Sequence, residues 1–228
     1  MSPTRRERVR AETIDEIKET ARMQISKNGA AALSLRGIAA EMGMTAPALY
    51  RYFDSRDDLV TALIVDAYKS LAAALAASQE TEEESHDKRI MASACAYRAW
   101  ALTHRAEYSL IFGTPIPNYH APVGITGPAA AQSLIELIRV LDAVYQDGLL
   151  TLNELSPALI KMLEPWVEKL GYTGPLSVIQ LALTNWAKIH GLVSLELNGH
   201  LSDVPEEVNI GSFFEKEICS LVERMLTD

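Results

Sequence analysis

Cysteine is scarce in this chain, and long uninterrupted apolar runs are missing. Only Cys95 and Cys219 occur among the 228 residues. Their wide separation favours buried thiols in a reducing compartment, although a single disulfide between them stays open. No uninterrupted apolar run reaches the ~18 residues needed to cross a bilayer. The arginine-rich N-terminus has no apolar segment behind it, so a signal peptide is not expected. These absences predict a cytoplasmic protein with no membrane partner.

Motifs that signal catalysis or metal binding are also missing. The sequence has no glycine-rich phosphate loop, no HExxH and no CxxC. His190 and His200 are too far apart in sequence to form the i, i+4 histidine pair of a helical metal site. We therefore expect no enzymatic activity, no catalytic residue, no bound metal and no cofactor.

Basic residues are outnumbered by acidic residues overall and are concentrated at the N-terminal end. The net charge is −9. Residues 1–58 carry ten Lys/Arg and nine Asp/Glu, a sum of +1, which leaves −10 for residues 59–228. An acidic body is repelled by nucleic acid, so only the N-terminal end is expected to approach phosphate. Residues 1–8 fit either a mobile basic arm that reaches DNA or a solvated tail.

Strand-like alternation is absent, and every strong apolar periodicity is helical, which predicts an all-α fold. The acidic segment 79–87 breaks this pattern, and the proline- and glycine-rich segment 113–128 predicts an irregular stretch. That stretch fits either a lid over a pocket or an ordinary surface crossing. Beyond the DNA-binding motif described next, helices are expected over 9–27, 55–77, 88–104, 106–113, 127–148, 156–170, 175–199 and 206–226.

Residues 33–59, LSLRGIAAEMGMTAPALYRYFDSRDDL, predict a helix-turn-helix. Leu35 and Ile38 share one apolar face, and Ser34 is placed to cap their helix. Gly43 ends this helix, and Thr45 is placed to cap the next. Such a motif lays its second helix in the major groove of DNA. The same pattern also fits a three-helix unit that only packs.

This stretch resembles the DNA-binding signature of the TetR family of transcriptional repressors, from about residue 14 to 63. The resemblance implies that Ser34 and Thr45 belong to the DNA-binding residues. It implies base contacts from Arg36, Ala46, Pro47 and Ala48, phosphate contacts from Tyr50, Tyr52 and Arg56, and either kind from Arg51. Tyr52 and Arg56 replace a frequent histidine and lysine of the family, and both keep a hydrogen-bond donor.

The C-terminal part resembles the WHG type of TetR domain, through Trp186, His190 and Gly191. The resemblance implies a DNA-binding domain over 1–58, joined by a fourth helix to about residue 78, and a ligand-binding and dimerisation domain over 79–228. Apolar residues on the last two helices exceed what one intramolecular face needs, which suits the family's four-helix dimer interface. They are Leu181, Trp186, Leu192, Leu195, Phe213, Phe214, Leu221, Val222 and Met225.

A stripe of aromatic residues marks the candidate effector site. It consists of Tyr97, Trp100, His104, Tyr108 and Phe112, at spacings of three or four. Such a stripe is more often core packing than pocket, but its two tyrosines and one histidine strengthen the pocket interpretation. Tyr119, His120, Trp166, Trp186 and His190 are further candidates.

Two functions remain in competition at this stage. The favoured one is a dimeric repressor that binds a palindromic double-stranded DNA operator and is released by a small, mostly apolar molecule. The alternative is a helical small-molecule carrier or enzyme whose helix-turn-helix is only structural. A carrier has no reason to expose Tyr50, Arg51 and Tyr52 beside Arg36, so this surface separates the two.

Overall fold

The computed structural model describes residues 4–80, 85–201 and 209–227, and every regular element in these ranges is helical. This confirms the predicted all-α class. In chain order the helices are α1 (Arg5–Asn28), α2 (Leu35–Glu41), α3 (Ala46–Leu49), α4 (Arg56–Ala77), α5 (His86–Thr103), α6 (Arg105–Phe112), α7 (Val123–Gln146), α8 (Pro157–Leu170), α9 (Leu176–Leu197) and α10 (Ile210–Thr227), with a 3-10 turn at Ala30–Ala32. Parts of two predicted elements, the acidic break at 81–84 and the start of the last helix at 206–208, lie outside the described residues.

The first helix begins earlier than predicted, so the basic end of the chain is not an arm. Thr4 caps α1: its hydroxyl accepts a hydrogen bond from the Glu7 N–H. The Glu7 carboxylate accepts one in return from the Thr4 N–H at 2.7 Å. This capping box holds residues 5–8 in the first helical turns. The predicted arm can therefore involve only residues 1–3, which lie outside the described residues.

The irregular stretch before α7 is shorter than predicted, because α7 begins at Val123 and contains Pro128. Proline lacks an N–H, so one hydrogen bond is lost, to the carbonyl of Gly124 four residues earlier. The helix continues on both sides of this gap. The expectation that the prolines and glycines exclude helix over 123–128 was therefore wrong, and only 113–122 is irregular.

The described chain forms two packed units, and neither is continuous in sequence. The first unit comprises Met1–Ala67 and His104–Gly127, and the second comprises Tyr68–Thr103 and Pro128–Asp228. This division by packing differs from the predicted division by function near residue 78, which remains a proposal.

The first unit is built around the inner faces of α1, α2 and α3. Ile17 and Ile38 are completely buried, as is Leu49 of α3. These positions are the ones that helical periodicity predicts. Ion pairs tie α1 to two other helices of the unit: Lys18 Nζ lies 2.8 Å from an Asp66 oxygen of α4, and Arg22 Nε lies 3.2 Å from a Glu107 oxygen of α6.

In the second unit, α5 packs against α9 and α10. Phe214 and Ile218 of α10 are buried. Arg98 of α5 holds Glu196 of α9 through two hydrogen bonds, of 2.7 and 2.6 Å. The Arg98 guanidinium also lies 5.5 Å from the centre of the Phe214 ring, so one side chain joins three helices.

By length and composition, α4 is long and apolar enough to cross a membrane. Asp66 and Lys69 interrupt its apolar sequence, and half of its most apolar window is buried in the structure. A buried core helix of a globular protein meets the same criteria of length and composition.

Candidate nucleic-acid interface

The turn between α2 and α3 has the geometry of a helix-turn-helix. Gly43 adopts a φ of 66°, the left-handed conformation that glycine tolerates best. The Ser34 hydroxyl accepts a hydrogen bond from the Gly37 N–H, which confirms Ser34 as the cap of α2. The reversal at Gly43 allows α2 and α3 to pack directly against each other.

Thr45 precedes α3 but does not cap it through its side chain, contrary to the prediction. A threonine cap bonds the N–H of the second or third helical residue. Here the second residue is Pro47, which has no N–H, and the third, Ala48, donates its N–H to the Thr45 carbonyl at 2.9 Å. Thr45 therefore presents an exposed hydroxyl at the start of α3.

The outer side of α3 and the turn after it presents the residues expected at DNA. Leu49 is fully buried and Phe53 is 9% exposed, which fixes the inner side. Pro47, Tyr50 and Arg51 are exposed. Arg36, on the neighbouring helix α2, is exposed as predicted. Ala46 and Ala48 of α3, and Tyr52 in the turn after it, are partly covered.

A wide depression between the N-terminal turns of α1 and the α3 region has a volume of about 600 Å³. We call it the arginine groove. It is lined by Arg5, Arg6, Val9, Arg10, Met44, Ala48, Arg51 and Tyr52. Four guanidinium groups and no carboxylate line this surface, so it suits a polyanion.

Arg10 connects α1 to the end of the recognition segment, which comprises α3 and the turn after it, residues 46–52. Its two terminal nitrogens donate to the Arg51 carbonyl oxygen, each at 3.3 Å. Its guanidinium also lies 5.1 Å from the centre of the Tyr52 ring, a cation–π arrangement. Arg10 thereby positions Arg51 and Tyr52. Sequence reasoning missed this role, and also the places of Arg5 and Arg6, because it treated residues 1–8 as an arm; the signal was the four arginines among the first ten residues.

Arg56 faces inward rather than toward the groove. Its Nε donates to the Leu33 carbonyl at 2.9 Å, and a terminal nitrogen donates to the Ala30 carbonyl at 3.0 Å. These carbonyls belong to the turn before α2, so Arg56 anchors that turn. The geometry favours this structural role, and the phosphate contact implied by the family resemblance remains a prediction.

The predicted aromatic stripe does not form one face, because α5 ends at Thr103 and α6 begins at Arg105. His104, between them, has φ −119° and ψ 50°, which is not helical. The change of backbone direction separates the residues: Tyr97 and Trp100 belong to the second unit, whereas Tyr108 and Phe112 belong to the first. The prediction of a single continuous stripe was wrong.

Each stripe residue has local partners. The Trp100 indole N–H donates to the Ser70 hydroxyl at 3.0 Å. The rings of Tyr108 and Phe112 meet edge to face, with their centres 5.2 Å apart. Trp100 is 3% exposed and Tyr108 is 6% exposed, so both behave as core residues of their own units.

The other ligand candidates are also dispersed. The Tyr119 hydroxyl lies 2.9 Å from the Thr61 hydroxyl, which anchors the irregular stretch to α4, and burial raises the pKa of Tyr119. His120 is exposed on the same stretch. Trp166 lies on α8 with the Lys169 ammonium 5.0 Å from its ring centre. None of these contacts identifies a pocket.

Trp186 and His190 lie one turn apart on α9, with their ring centres 5.3 Å apart and the ring planes tilted by 39°. His190 Nδ1 lies 2.9 Å from the Tyr97 hydroxyl of α5, and burial lowers the pKa of His190. This arrangement gives the Trp-x-x-x-His motif a packing role between α5 and α9. Among the described residues, no three His, Cys, Asp or Glu side chains converge to hold a metal ion.

Comparison with known proteins accounts for this architecture. The family model described as bacterial regulatory proteins, tetR family, matches residues 17–63. The model described as tetracyclin repressor-like, C-terminal domain, matches residues 90–221, more than half of the chain. The HTH-type transcriptional regulator Rv1816 of Mycobacterium tuberculosis is 36% identical over 186 residues, which cover 80% of each protein. The chain belongs to the TetR family.

Solved TetR-like structures share the whole fold. The regulatory protein SCO4313 superposes with a TM-score of 0.80 at 37% identity, over 97% of this chain and 100% of that one. A TetR protein of Acinetobacter baumannii, solved in complex with minocycline, has a TM-score of 0.53 at 18% identity, over 93% and 97% of the two chains, and shows the fold alone. As a TetR-family transcriptional regulator, this protein has in α2 and α3 its DNA-binding helix-turn-helix.

Proposed function

We propose that this TetR-family regulator is a repressor that binds a palindromic operator as a homodimer in the cytoplasm and is released by a small, mostly apolar molecule. The arginine groove is the observation that carries the proposal. It brings Arg5, Arg6 and Arg51 together with Ala48 and Tyr52 of the recognition segment. Cations around a segment that enters a groove provide the phosphate contacts that set its register on DNA.

Base recognition in this proposal rests on few side chains. Arg36 and Arg51 are exposed and can each make two hydrogen bonds to guanine. Ala46 and Ala48 offer only apolar contact, which suits thymine methyl groups. Tyr50 is 43% exposed and is assigned a phosphate contact, which carries no sequence information.

Exposed apolar side chains on the last two helices support homodimerisation. Leu195 of α9 is 43% exposed and Phe213 of α10 is 41% exposed. Phe214 and Val222, which the sequence assigned to the same surface, are instead buried within the subunit. A two-fold dimer would present two recognition segments to the two halves of a palindrome.

Helix α4 gives the proposed effector response a physical link. Residues 56–67 of this continuous helix belong to the first unit and residues 68–77 to the second. An effector acts on DNA only if it favours one arrangement of the two recognition segments over another. A coupling free energy of about 1–3 kcal/mol would change operator affinity roughly 5–150-fold.

The decisive experiment selects fragments of the source genome that the full-length protein retains, and then measures binding of the selected duplex. We expect a palindromic fragment bound by a dimer, with affinity falling steeply as salt rises. Failure to retain any fragment, at low salt and over a wide protein concentration range, would favour the carrier or enzyme alternative. That alternative also predicts that Arg51 can be replaced without loss of function.

Dimerisation has its own test, in which the chain is truncated near Gly174 so that α9 and α10 are removed. The truncated protein should sediment as a monomer or fail to fold. A stable dimer of the truncated protein would place the interface elsewhere. In the full-length chain, Leu195→Glu with Phe213→Glu should also give a folded monomer, since both side chains are exposed within the subunit.

A further inference from the structure

A small crevice lies inside the second unit, between α5, α7 and α9, and has a volume of about 30 Å³. We call it the Ser93 crevice. Its lining is apolar apart from two neutral polar side chains, Ser93 and Asn185. The lining residues are Ile90, Ser93, Ala94, Leu137, Val140, Leu141, Ala182, Asn185, Trp186 and Ile189. It contains neither Tyr108 nor Phe112, so it is not the site that the aromatic stripe predicted.

Ser93 has an unmet hydrogen-bonding requirement. It is 5% exposed, and within the described part of the chain its buried hydroxyl oxygen has no hydrogen-bond partner. A buried polar group without a partner is unfavourable, so such groups in native proteins usually have a ligand, a water or a functional reason. Ser93 lines the crevice, so its unpartnered hydroxyl is placed to bond a molecule held there.

Asn185, the second polar group, is 7% exposed and is held by a weak acceptor. Its amide nitrogen donates to the Met225 sulfur of α10 at 2.9 Å. A thioether is a poor hydrogen-bond acceptor, so a ligand oxygen would compete for this amide. Ser93 and Asn185 therefore place two neutral hydrogen-bonding groups in one apolar crevice, from two different helices.

We propose that the Ser93 crevice receives the effector, and that the effector is an uncharged apolar molecule with one hydroxyl or carbonyl oxygen. This inference rests on the proposed function for its consequence at DNA, but not for binding itself. None of the lining residues is ionisable, and burying an unpaired charge in such surroundings is strongly unfavourable. The Ser93 hydroxyl bonds the single oxygen, and the aliphatic walls cover the remainder.

The size of the crevice implies that binding displaces a side chain. A volume of about 30 Å³ is enough for a water molecule but not for a ring. Trp186 is the lining residue best placed to move, because it is a large side chain that is only half-buried. Ligand entry would therefore disturb α9, the helix that also carries the exposed Leu195.

The test uses full-length protein and three six-membered-ring probes of similar size: cyclohexanol, methylcyclohexane and cyclohexanecarboxylate. Binding is measured by calorimetry and by ligand-observed NMR. Cyclohexanol should bind. Methylcyclohexane should bind more weakly because it has no group that can form a hydrogen bond, and the carboxylate should not bind. Equal binding of the alcohol and the carboxylate would overturn the assignment of an uncharged ligand.

Three variants locate the site. Ser93→Ala should weaken cyclohexanol binding about tenfold, the loss of one hydrogen bond, while leaving methylcyclohexane unaffected. Ala182→Val should abolish binding of both, because Ala182 lines the crevice and is 2% exposed. Ser133→Ala is the matched control: Ser133 is also buried, but its hydroxyl donates to the Ala130 carbonyl of its own helix, outside the crevice.

The outcomes separate this inference from the proposed function. Cyclohexanol binding that is about tenfold weaker in Ser93→Ala, lost in Ala182→Val and unchanged in Ser133→Ala supports the site, whether or not the protein retains DNA. No binding of any probe at millimolar concentration, in a protein that still binds its operator, overturns the site and leaves the repressor proposal standing. Binding that is equally strong in Ala182→Val places the ligand elsewhere and also overturns it.

Discussion

The arginine groove and the Ser93 crevice differ in charge, in size and in whether the free protein already has room for the ligand. The groove is open, is lined by four arginines and has a volume of about 600 Å³. The crevice is lined by no ionisable residue and has a volume of about 30 Å³. The groove offers its guanidinium groups to a surface that arrives from outside. The crevice has to open before anything larger than water can enter it.

This difference reflects what each site binds. A long polyanion needs fixed positive charges and little enclosure, so the groove can be complete in the free protein. A small neutral effector needs enclosure, and the same effector must change the protein in order to signal. A crevice that is too small for the effector in the free protein provides both, because its widening is the conformational change.

The largest expected effect tests how tightly the interior of the second unit is packed. Trp100→Ala should lower the free energy of unfolding by about 3–5 kcal/mol, since it empties a buried site and leaves the Ser70 hydroxyl without its indole partner. Chemical denaturation measures this loss. Trp166→Ala is the control and should cost far less, because Trp166 is only partly covered on α8. Equal losses would mean that Trp100 is no more integral to the core than Trp166.

The next effect tests the groove through DNA binding. Arg51→Ala should weaken operator binding by about 1–3 kcal/mol if its guanidinium contacts a base, and should relax specificity at that base pair. Fluorescence anisotropy with a labelled operator measures the change. Arg139→Ala removes the same charge from an exposed position on α7 and should leave affinity unchanged. A similar loss in both variants would show that only total charge matters.

A smaller effect separates support of the recognition unit from contact with phosphate. Arg56→Lys keeps the charge but loses the planar set of donors that holds the Leu33 and Ala30 carbonyls, so stability should fall by about 1 kcal/mol. Arg36→Lys, at an exposed position of α2, should leave stability unchanged. If Arg56→Lys lowers operator affinity without lowering the melting temperature, the phosphate contact is correct and the structural role is wrong.

The smallest effect concerns His190, whose pKa is lowered by burial. The folded protein then binds fewer protons at this site than the unfolded chain does. Stability from this group is complete above the ordinary value of 6.5 and is lost as pH falls through 6.5 toward the lowered value. The melting temperature should therefore fall less between about pH 8 and pH 5 in His190→Gln than in the wild type. Parallel pH profiles would contradict the assignment.

Sequence alone predicted the helices and the inner faces of the first unit well, because the signals that determine them lie close together in sequence. The pairing of Leu35 with Ile38, and the reversal at Gly43, depend on residues within one or two helical turns. Helical periodicity and glycine conformation are sufficient to place them. The same reasoning placed the exposed Arg36 and Arg51 correctly.

The failures concern contacts between residues far apart in sequence. Arg56 anchors carbonyls 23 and 26 residues earlier, which no local pattern indicates. The aromatic stripe was divided because the backbone changes direction at the non-helical His104, between α5 and α6, and the regular spacing of the aromatic residues does not reveal this change. No local pattern singles out Ser93. Its burial, and the lack of a hydrogen-bond partner for its hydroxyl among the described residues, depend on how α7 and α9 pack against α5.

The division of the chain into two units has a consequence for how such a gene can recombine. The units exchange at residues 67/68, 103/104 and 127/128, so each is assembled from separate stretches of the chain. A single crossover near residue 67 would join α1 of one parent to α6 of another. The two partners of the 3.2 Å ion pair between Arg22 and Glu107 would then come from different parents. Chimeras of related regulators should therefore inherit residues 104–127 from the parent that supplies the DNA-binding helices, with one further crossover between α5 and α6 and another near the start of α7.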